Sequence, residues 1–154
     1  ACNALGYMPY ILTDSLNCKA REAGAFLAAI ARAHQNTDRS LAFLAGGETV
    51  VHLTGSGMGG RNQELALSAA EGIAGLRDTA VFSIGSDGTD GPTDAAGGFV
   101  TGQTKDDLGK KGIQIFDVLK NNDSYHALKL CDGLLHTGAT GTNVNDVAVL
   151  LIRR

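Results

Sequence analysis

The sequence predicts one α/β domain, a three-layer α/β/α arrangement around a mostly parallel, partly mixed sheet. Apolar runs of strand length alternate along the chain with stretches of helical spacing, which is the pattern of layered α/β proteins. With 154 residues, 44% hydrophobic and 19% charged, the chain has the length and composition of a single globular domain spanning residues 1–154. A short connection between two predicted strands favours a hairpin or bend, so part of the sheet is expected to be antiparallel.

Two helices and three strands are predicted in the first half of the chain. Residues 20–32 carry apolar side chains at the spacing of an amphipathic helix, and a second helix is predicted over residues 62–73. The strands are short apolar or β-branched runs at residues 7–12, 41–45 and 49–54.

The second half of the chain alternates in the same way. Apolar runs predict strands at residues 79–84, 134–136 and 147–152, with a short extended piece at 99–100. Helices are predicted at residues 105–111, 117–120 and 124–131.

The composition excludes several classes of function. The net charge of -3 leaves no basic surplus for nucleic acid, and aromatic side chains, at 5% with no Trp, are too few to stack on bases. No apolar stretch approaches the roughly 20 residues of a membrane span. Cys2, Cys18 and Cys131 form no CxxC pair, so neither a disulfide framework nor a zinc site is predicted, and a reducing cytoplasm is the expected location.

Residues 55–64, the glycine stretch, contain four glycines within six residues, followed directly by a predicted helix start. Glycines let the backbone come close to a bulky group, and a helix start offers unpaired N–H groups to an anion. We therefore expect Gly57, Gly59 and Gly60 to face a phosphate or carboxylate and Arg61 to bind it. The spacing matches no standard phosphate-binding motif, so a tight turn with a surface ion pair at Arg61 is the alternative.

Residues 85–94, the aspartate loop, directly follow a predicted buried strand and contain Asp87, Asp90 and Asp94. Carboxylates this close repel one another unless a cation or N–H donors stabilise them. Ligands of α/β domains bind at strand ends, so this position suits Mg²⁺ or a substrate hydroxyl. The resemblance to a calcium loop is incomplete because Gly98 occupies its twelfth position. A solvated turn is the alternative.

Residues 137–146, the threonine–asparagine loop, combine glycines with small hydroxyl and amide side chains before the last predicted strand. Such residues can surround a phosphate with backbone and side-chain donors, or they can simply form a turn. Three polar loops of this kind in one small α/β domain favour a shared ligand site.

Five segments, in their order along the chain, resemble the motifs of one family. They are GGET at 46–49, GGRNQE at 59–64, SDGTDGPTDAAG at 86–97, NDSY at 122–125 and TGTNVND at 140–146. Over residues 5–152 the chain is similar to the MOFRL domain, the C-terminal domain of the glycerate 2-kinases, a family also named for hydroxypyruvate reductase.

The resemblance implies phosphorylation of glycerate by ATP with Mg²⁺, in a cleft shared with an N-terminal domain. It thus implies that residues 1–154 are an excised C-terminal part of a two-domain enzyme and are inactive alone. A homo-oligomer of the full protein is a further expectation. Two alternatives stay open: a hydroxypyruvate reductase domain, which lacks a convincing nicotinamide fingerprint here, and a non-catalytic module that binds a small phosphorylated acid.

Residue chemistry and the resemblance together assign roles within this site. Arg61, Asp87 and Asp90 are expected to be catalytic, and Asp87 and Asp90 to hold Mg²⁺ as well. Glu48 and Glu64 are expected to orient Arg61, and Asp146 to anchor the last loop. The expected binding residues are Gly57, Gly59, Gly60, Asn62, Glu64, Asp94, Thr140, Thr142, Asn143 and Asn145.

Overall fold

The computed structural model describes residues 1–154, which form one six-stranded sheet and five α-helices. The strands are β1 (Met8–Leu16), β2 (Leu41–Gly47), β3 (Thr79–Gly85), β4 (Gly97–Thr101), β5 (Leu134–Leu135) and β6 (Asp146–Ile152). The α-helices are α1 (Ala20–Ala33), α2 (Arg61–Ile73), α3 (Thr104–Lys110), α4 (Ile115–Lys120) and α5 (Ser124–Leu130), and a 3-10 turn at Asn3–Leu5 precedes β1. None of the helices combines the length and the apolar composition that a membrane span requires.

The strands lie in the order β1-β2-β6-β3-β4-β5. The α/β class and the mixed sheet are therefore confirmed, but β1–β2 is the single parallel pair and the other four pairs are antiparallel. The parallel share is smaller than predicted because the last strand, β6, inserts between β2 and β3 and runs against both. Hydrophobic runs indicate where strands are, whereas their neighbours depend on long-range packing.

All five helices contribute side chains to one core on one face of the sheet. Leu27 of α1, Leu65 of α2 and Leu128 of α5 are almost fully buried there, with Leu150 of β6 beneath them. The two long helices pack closely because Gly24 faces the backbone of Leu65, where a Cβ would collide. The layering is thus one helical layer on one sheet, and the opposite sheet face carries no helix, in contrast to the predicted three layers.

The predicted strand at residues 49–54 is wrong. Only Val50 makes a ladder contact, a single parallel bridge to Lys19, and residues 51–60 have no regular secondary structure. Instead of a neighbouring strand, the side-chain oxygen of Asn122 accepts the N–H groups of Thr54 and Gly55 at 2.7 and 2.9 Å. The β-branched composition of this run is overridden because a side chain, rather than a strand, satisfies its backbone.

Helix α2 begins with a cap supplied by a distant residue. Gly60 at the cap position has no side chain, and the carboxylate of Asp90 accepts the N–H groups of Asn62 at 3.0 Å and Gln63 at 2.8 Å. These N–H groups have no acceptor within the helix, and the helix dipole favours a negative charge at this end. The aspartate loop is therefore fastened to the start of α2.

We expect Asp90→Ala to lower the free energy of unfolding of this chain by about 2–4 kcal/mol, because two buried N–H groups lose their acceptor. Asp90→Asn should cost roughly half as much, since one oxygen is retained. Urea denaturation measures both. Asp106→Ala, at an exposed position of α3, is the matched control and should change stability by less than about 0.5 kcal/mol. If Asp90→Ala unfolds at the same urea concentration as the control, the distant cap does not stabilise α2.

Candidate active site

The glycine stretch, the aspartate loop and one residue of the threonine–asparagine loop meet around one cleft of about 840 Å³. The cleft lies beyond the ends of β2 and β3, where Gly47 and Gly85 pair with Asp146 at the start of β6. Of the residues predicted for the site, the cleft is lined by Glu48, Gly57, Gly59, Gly60, Arg61, Glu64, Asp87, Asp90 and Asn143. The loops therefore converge on one cleft, as a shared ligand site requires.

Arg61, the first residue of α2, is held by two carboxylates. Its Nε and Nη2 donate to the two oxygens of Asp146 at 2.6 and 3.1 Å, and its Nη1 lies 2.7 Å from an oxygen of Glu48. The hydrogen bond to Asp146 raises the pKa of Arg61, so the guanidinium stays charged. Since a guanidinium has five N–H donors and three are engaged, two remain for a ligand.

Asp87 keeps one carboxylate oxygen free, as does Glu48, whose contact with Arg61 uses one of its two oxygens. The Oδ1 of Asp87 accepts the N–H of Thr89 at 2.9 Å and the Thr89 hydroxyl at 3.0 Å, while its other oxygen accepts no hydrogen bond from the chain. The two bonds from Thr89 lower the pKa of Asp87, with a smaller contribution from the charge of Arg61. Asp87 is consequently ionised at neutral pH and has one oxygen available to a cation or a hydroxyl.

Asp90 differs from Asp87 because both of its oxygens are occupied. The N–H groups of Asn62 and Gln63 take one oxygen each, and the residue is only 3% exposed. Burial raises the pKa of Asp90, although these hydrogen bonds oppose the shift. The anion expected at the start of α2 is thus a side chain of the protein itself, and Asp90 has no free oxygen for a metal ion.

The glycines of the glycine stretch allow the chain to pass close to other protein segments. A Cβ on Gly57 would collide with Asp123, one on Gly59 with the Ser124 hydroxyl, and one on Gly60 with Asp90. Residues 55–60 therefore lie pressed between the start of α5 and the aspartate loop. The immediate reason for glycine here is the protein's own packing rather than the approach of a ligand.

Three consecutive backbone donors of this stretch nevertheless remain free. The N–H groups of Gly59, Gly60 and Arg61 donate to no acceptor in the chain, whereas those of Gly57 and Met58 are bound by Asn121 and Asp123. All three residues with free N–H groups line the cleft. Together with the unengaged N–H groups of Arg61, they are the donors that this wall offers to an anion.

Glu64 does not contact Arg61, contrary to its expected role. Its two oxygens accept Arg21 Nε at 2.8 Å and Asn122 Nδ2 at 3.1 Å, and the side chain is 3% exposed. The Asn122 amide also donates to the carbonyl of His52, beside the two N–H groups that its oxygen accepts. This partly buried network of Arg21, Glu64 and Asn122 fixes the path of the chain into the glycine stretch.

Arg21 and Asn122 have no role in the site predicted from sequence. Asn122 adopts the left-handed conformation, with φ 55°, that asparagine tolerates better than most residues. The run of two Asn and one Asp after α4 was a signal for such a turn, but nothing in it indicates contact with a loop about 70 residues earlier. Arg21 has no distinguishing signal in the sequence.

Several predicted binding residues lie away from the cleft. Asn62 is buried and bonded to Ser83 and Asp90, and Asp94 accepts the Tyr125 hydroxyl at 2.8 Å on another side of the aspartate loop. Thr140 donates its hydroxyl to the Ser86 carbonyl and so ties two loops together. The residues of the expected set that do not line the cleft are Asn62, Asp94, Thr140, Thr142 and Asn145.

Not every carboxylate of the site can hold a metal ion. No group of three or more His, Cys, Asp or Glu side chains is arranged to hold one. Mg²⁺, however, is commonly held by one or two carboxylates together with water and substrate phosphates. Asp87, ionised and with a free oxygen, fits that mode, whereas Asp90 does not.

Comparison with known proteins gives concordant matches. The MOFRL family model matches residues 41–146. The chain is 54% identical to a D-glycerate 2-kinase of Thermotoga maritima and 44% identical to a glycerate 2-kinase of Pyrococcus horikoshii, each over 96% of this chain. It superimposes on the crystal structure of the glycerate kinase from Thermotoga maritima with a TM-score of 0.94 and 53% identity, over 98% of this chain and 37% of that one.

The chain spans 36% and 34% of the lengths of these two relatives. The family match covers more than half of the chain, and the motifs around Arg61, Asp87 and Asn143 lie within the matched residues. This chain belongs to the MOFRL family.

Proposed function

We propose that this chain forms one wall of the active site of a glycerate 2-kinase, which phosphorylates D-glycerate with ATP to give 2-phosphoglycerate. The observation that carries the proposal is the meeting of Arg61, the free oxygen of Asp87 and three unbonded backbone N–H groups in one cleft. Relatives of the chain that carry the glycerate 2-kinase name support the choice of substrate. Because the chain matches about a third of their length, the rest of the site belongs to the longer protein.

The acidic side chains of the cleft support a reaction in which Mg²⁺ and the remaining polypeptide supply the positive charge. The lining of the cleft contains the acids Glu48, Glu64, Asp87 and Asp90 but only one base, Arg61. Arg61 is already paired with two carboxylates, so this wall alone attracts anions weakly. Phosphate groups bring more negative charge, and their binding requires Mg²⁺ and basic side chains of the remaining polypeptide.

The residues of this wall have separate roles in the proposed site. Mg²⁺, when bound, neutralises charge on the phosphate oxygens during transfer. Asp87 holds that ion through its free oxygen, and Arg61 binds the glycerate carboxylate or the transferring phosphoryl group with its two unengaged N–H donors. Asp146 and Glu48 keep the guanidinium in place, and the N–H groups of Gly59 and Gly60 bind a second anionic oxygen.

The wider setting of the enzyme is also part of the proposal. All three cysteines are free thiols, which suits a reducing cytoplasm. We assign the remaining polypeptide of the longer protein, expected to precede this domain, to the opposite wall of the cleft. On this basis residues 1–154 alone do not turn over substrate.

The proposal is tested with the longer protein that carries this chain. We expect release of ADP with D-glycerate and ATP, and no oxidation of NADH with hydroxypyruvate. NADH oxidation without ADP release would replace the kinase with the reductase. If neither reaction occurs but phosphoglycerate raises the melting temperature, the chain belongs to a non-catalytic binding module. Phosphorylation of glycerate by residues 1–154 alone would contradict the shared cleft.

Arg61→Ala in the longer protein should lower kcat/KM more than tenfold, because a charge-assisted contact of at least about 2 kcal/mol is lost in the transition state. Arg61→Lys should recover little of this loss, since an ammonium cannot reproduce the paired geometry. Arg32→Ala, on the exposed side of α1, serves as the control. Arg61→Ala leaves the Asp146 carboxylate without its partner, which lowers the stability of the fold. In the double variant Arg61→Ala/Asp146→Asn that unpaired charge is removed, so its kcat/KM reports the loss of activity apart from any loss of folding. Unchanged kcat/KM in Arg61→Ala would remove Arg61 from the site.

Asp87→Asn should raise the Mg²⁺ concentration required for half-maximal rate at least tenfold, because a neutral amide is a weaker ligand than a carboxylate. Asp94→Asn, in the same loop but outside the cleft, is the matched control and should leave the Mg²⁺ dependence unchanged. Both are measured in steady-state assays over a Mg²⁺ titration. Equal Mg²⁺ dependence in the two variants would show that Asp87 does not hold the metal ion.

A further inference from the structure

Glu48, the residue directly after β2, has one carboxylate oxygen that no group of the chain occupies. Its other oxygen lies 2.7 Å from Arg61 Nη1, and the side chain is 57% exposed and lines the cleft. The carboxylates of Glu64 and Asp90, which also line the cleft, accept hydrogen bonds at both of their oxygens. In the proposed site the free oxygen of Asp87 holds Mg²⁺. The free oxygen of Glu48 is therefore the one that is left for the substrate.

No other side chain of this wall is suited to take a proton from the substrate. The residues that line the cleft include no His, Lys, Cys or Tyr, the other side chains that commonly act as general bases. The hydroxyls of Thr49 and Thr89 are much weaker bases than a carboxylate. Glu48 is also open to a ligand, whereas Glu64 and Asp90 are buried.

We infer that Glu48 is the general base of the reaction, an inference that rests on the proposed function. Its free oxygen accepts the proton of the glycerate 2-hydroxyl while the oxygen of that hydroxyl forms a bond to the γ-phosphorus of ATP. The bond between this phosphorus and the β–γ bridging oxygen breaks, and ADP leaves with the electron pair. Glu48 later releases the proton to water. Protein kinases use an aspartate carboxylate in the same step.

The contact with Arg61 places Glu48 close to the reacting hydroxyl. A ligand oxygen bound to Nη1 of Arg61 at about 2.9 Å lies within about 6 Å of the Glu48 oxygen at the same nitrogen. The 2-hydroxyl is on the carbon next to the glycerate carboxylate, and at the point of attack it lies roughly 3–3.5 Å from the phosphorus. Whichever of these two groups Arg61 binds, the hydroxyl therefore lies beside Glu48.

Protonation of Glu48 also changes the charge around Arg61 during the reaction. In the resting site two carboxylates, those of Glu48 and Asp146, neutralise the guanidinium. When Glu48 takes the proton, one of these negative charges is lost while the phosphoryl group is transferred. The positive charge of Arg61 is then available to the anionic oxygens of the transferred group. The pairing that weakens this wall as an anion site at rest is thus partly removed when it acts.

The test uses the longer protein with Glu48→Gln, which removes the proton acceptor but keeps an oxygen that can face Arg61. We expect kcat to fall at least about 100-fold, because a general base contributes roughly 10²–10⁴-fold to the rate. Glu71→Gln is the matched control, since Glu71 is 51% exposed, pairs with the single cation Lys105 and lies outside the cleft. It should leave kcat unchanged, and circular dichroism should show the wild-type fold in both variants.

The analogue 3-hydroxypropionate, which is glycerate without its 2-hydroxyl, separates a general base from a residue that only holds Arg61. As a competitive inhibitor it keeps the carboxylate that Arg61 binds but offers no hydroxyl to Glu48. We expect the same inhibition constant in the wild type and in Glu48→Gln, although kcat with glycerate differs. If Glu48 only held Arg61, this inhibition constant and the KM for glycerate would rise together while kcat was retained.

Two results contradict the inference in a wild type that releases ADP with D-glycerate. Unchanged kcat in Glu48→Gln would assign the base to the remaining polypeptide of the longer protein. A joint rise of the inhibition constant and KM with kcat retained would leave Glu48 only its contact with Arg61. A wild type that releases no ADP overturns the proposed kinase itself, and the general base with it.

Discussion

The contact between the Asp90 carboxylate and the first N–H groups of α2 is the one on which the rest of the cleft depends. A buried carboxylate is costly unless donors satisfy it, and here two backbone N–H groups and the helix dipole do so. The same contact draws the aspartate loop against the glycine stretch. It thereby sets the direction of α2, so that Arg61, its first residue, meets Asp146 at the start of β6.

The carboxylates around Arg61 explain why this wall is incomplete as an anion site. Asp146 and Glu48 already hold the guanidinium, and Asp87 stays ionised beside it. Such an arrangement positions an arginine well, because its rotamer is fixed before a ligand arrives. It leaves a net acidic surface, however, which suits a metal ion more than a free phosphate. In our proposal the positive charge for phosphoryl transfer therefore comes from Mg²⁺ and the rest of the longer protein.

The sheet divides the apolar residues of its strands between two faces. Leu150 and Val81 face the helices and belong to one buried core, whereas Val149 and Phe82, their neighbours along the strands, face away. Both faces are apolar, so the strands read as continuous hydrophobic runs. The alternation of strands and helices predicted three layers, whereas the packing places all the helices on one face.

Local spacing in the sequence by itself determined most elements of this protein. The helices predicted at 20–32 and 62–73 and the strands predicted at 41–45, 79–84 and 147–152 are present with ends within two residues of these bounds, because helical spacing and apolar runs depend only on neighbouring residues. The motifs around Arg61 and Asp87 also identified where the cleft lies. Tertiary structure decided the rest: the strand order, the cap from Asp90, the pairing of Glu64 with Arg21, and the Asn122 contacts that replace a strand at 49–54. The partners in these contacts lie 28 to 68 residues apart, so that no local pattern specifies them and only the packing of the whole chain brings them together.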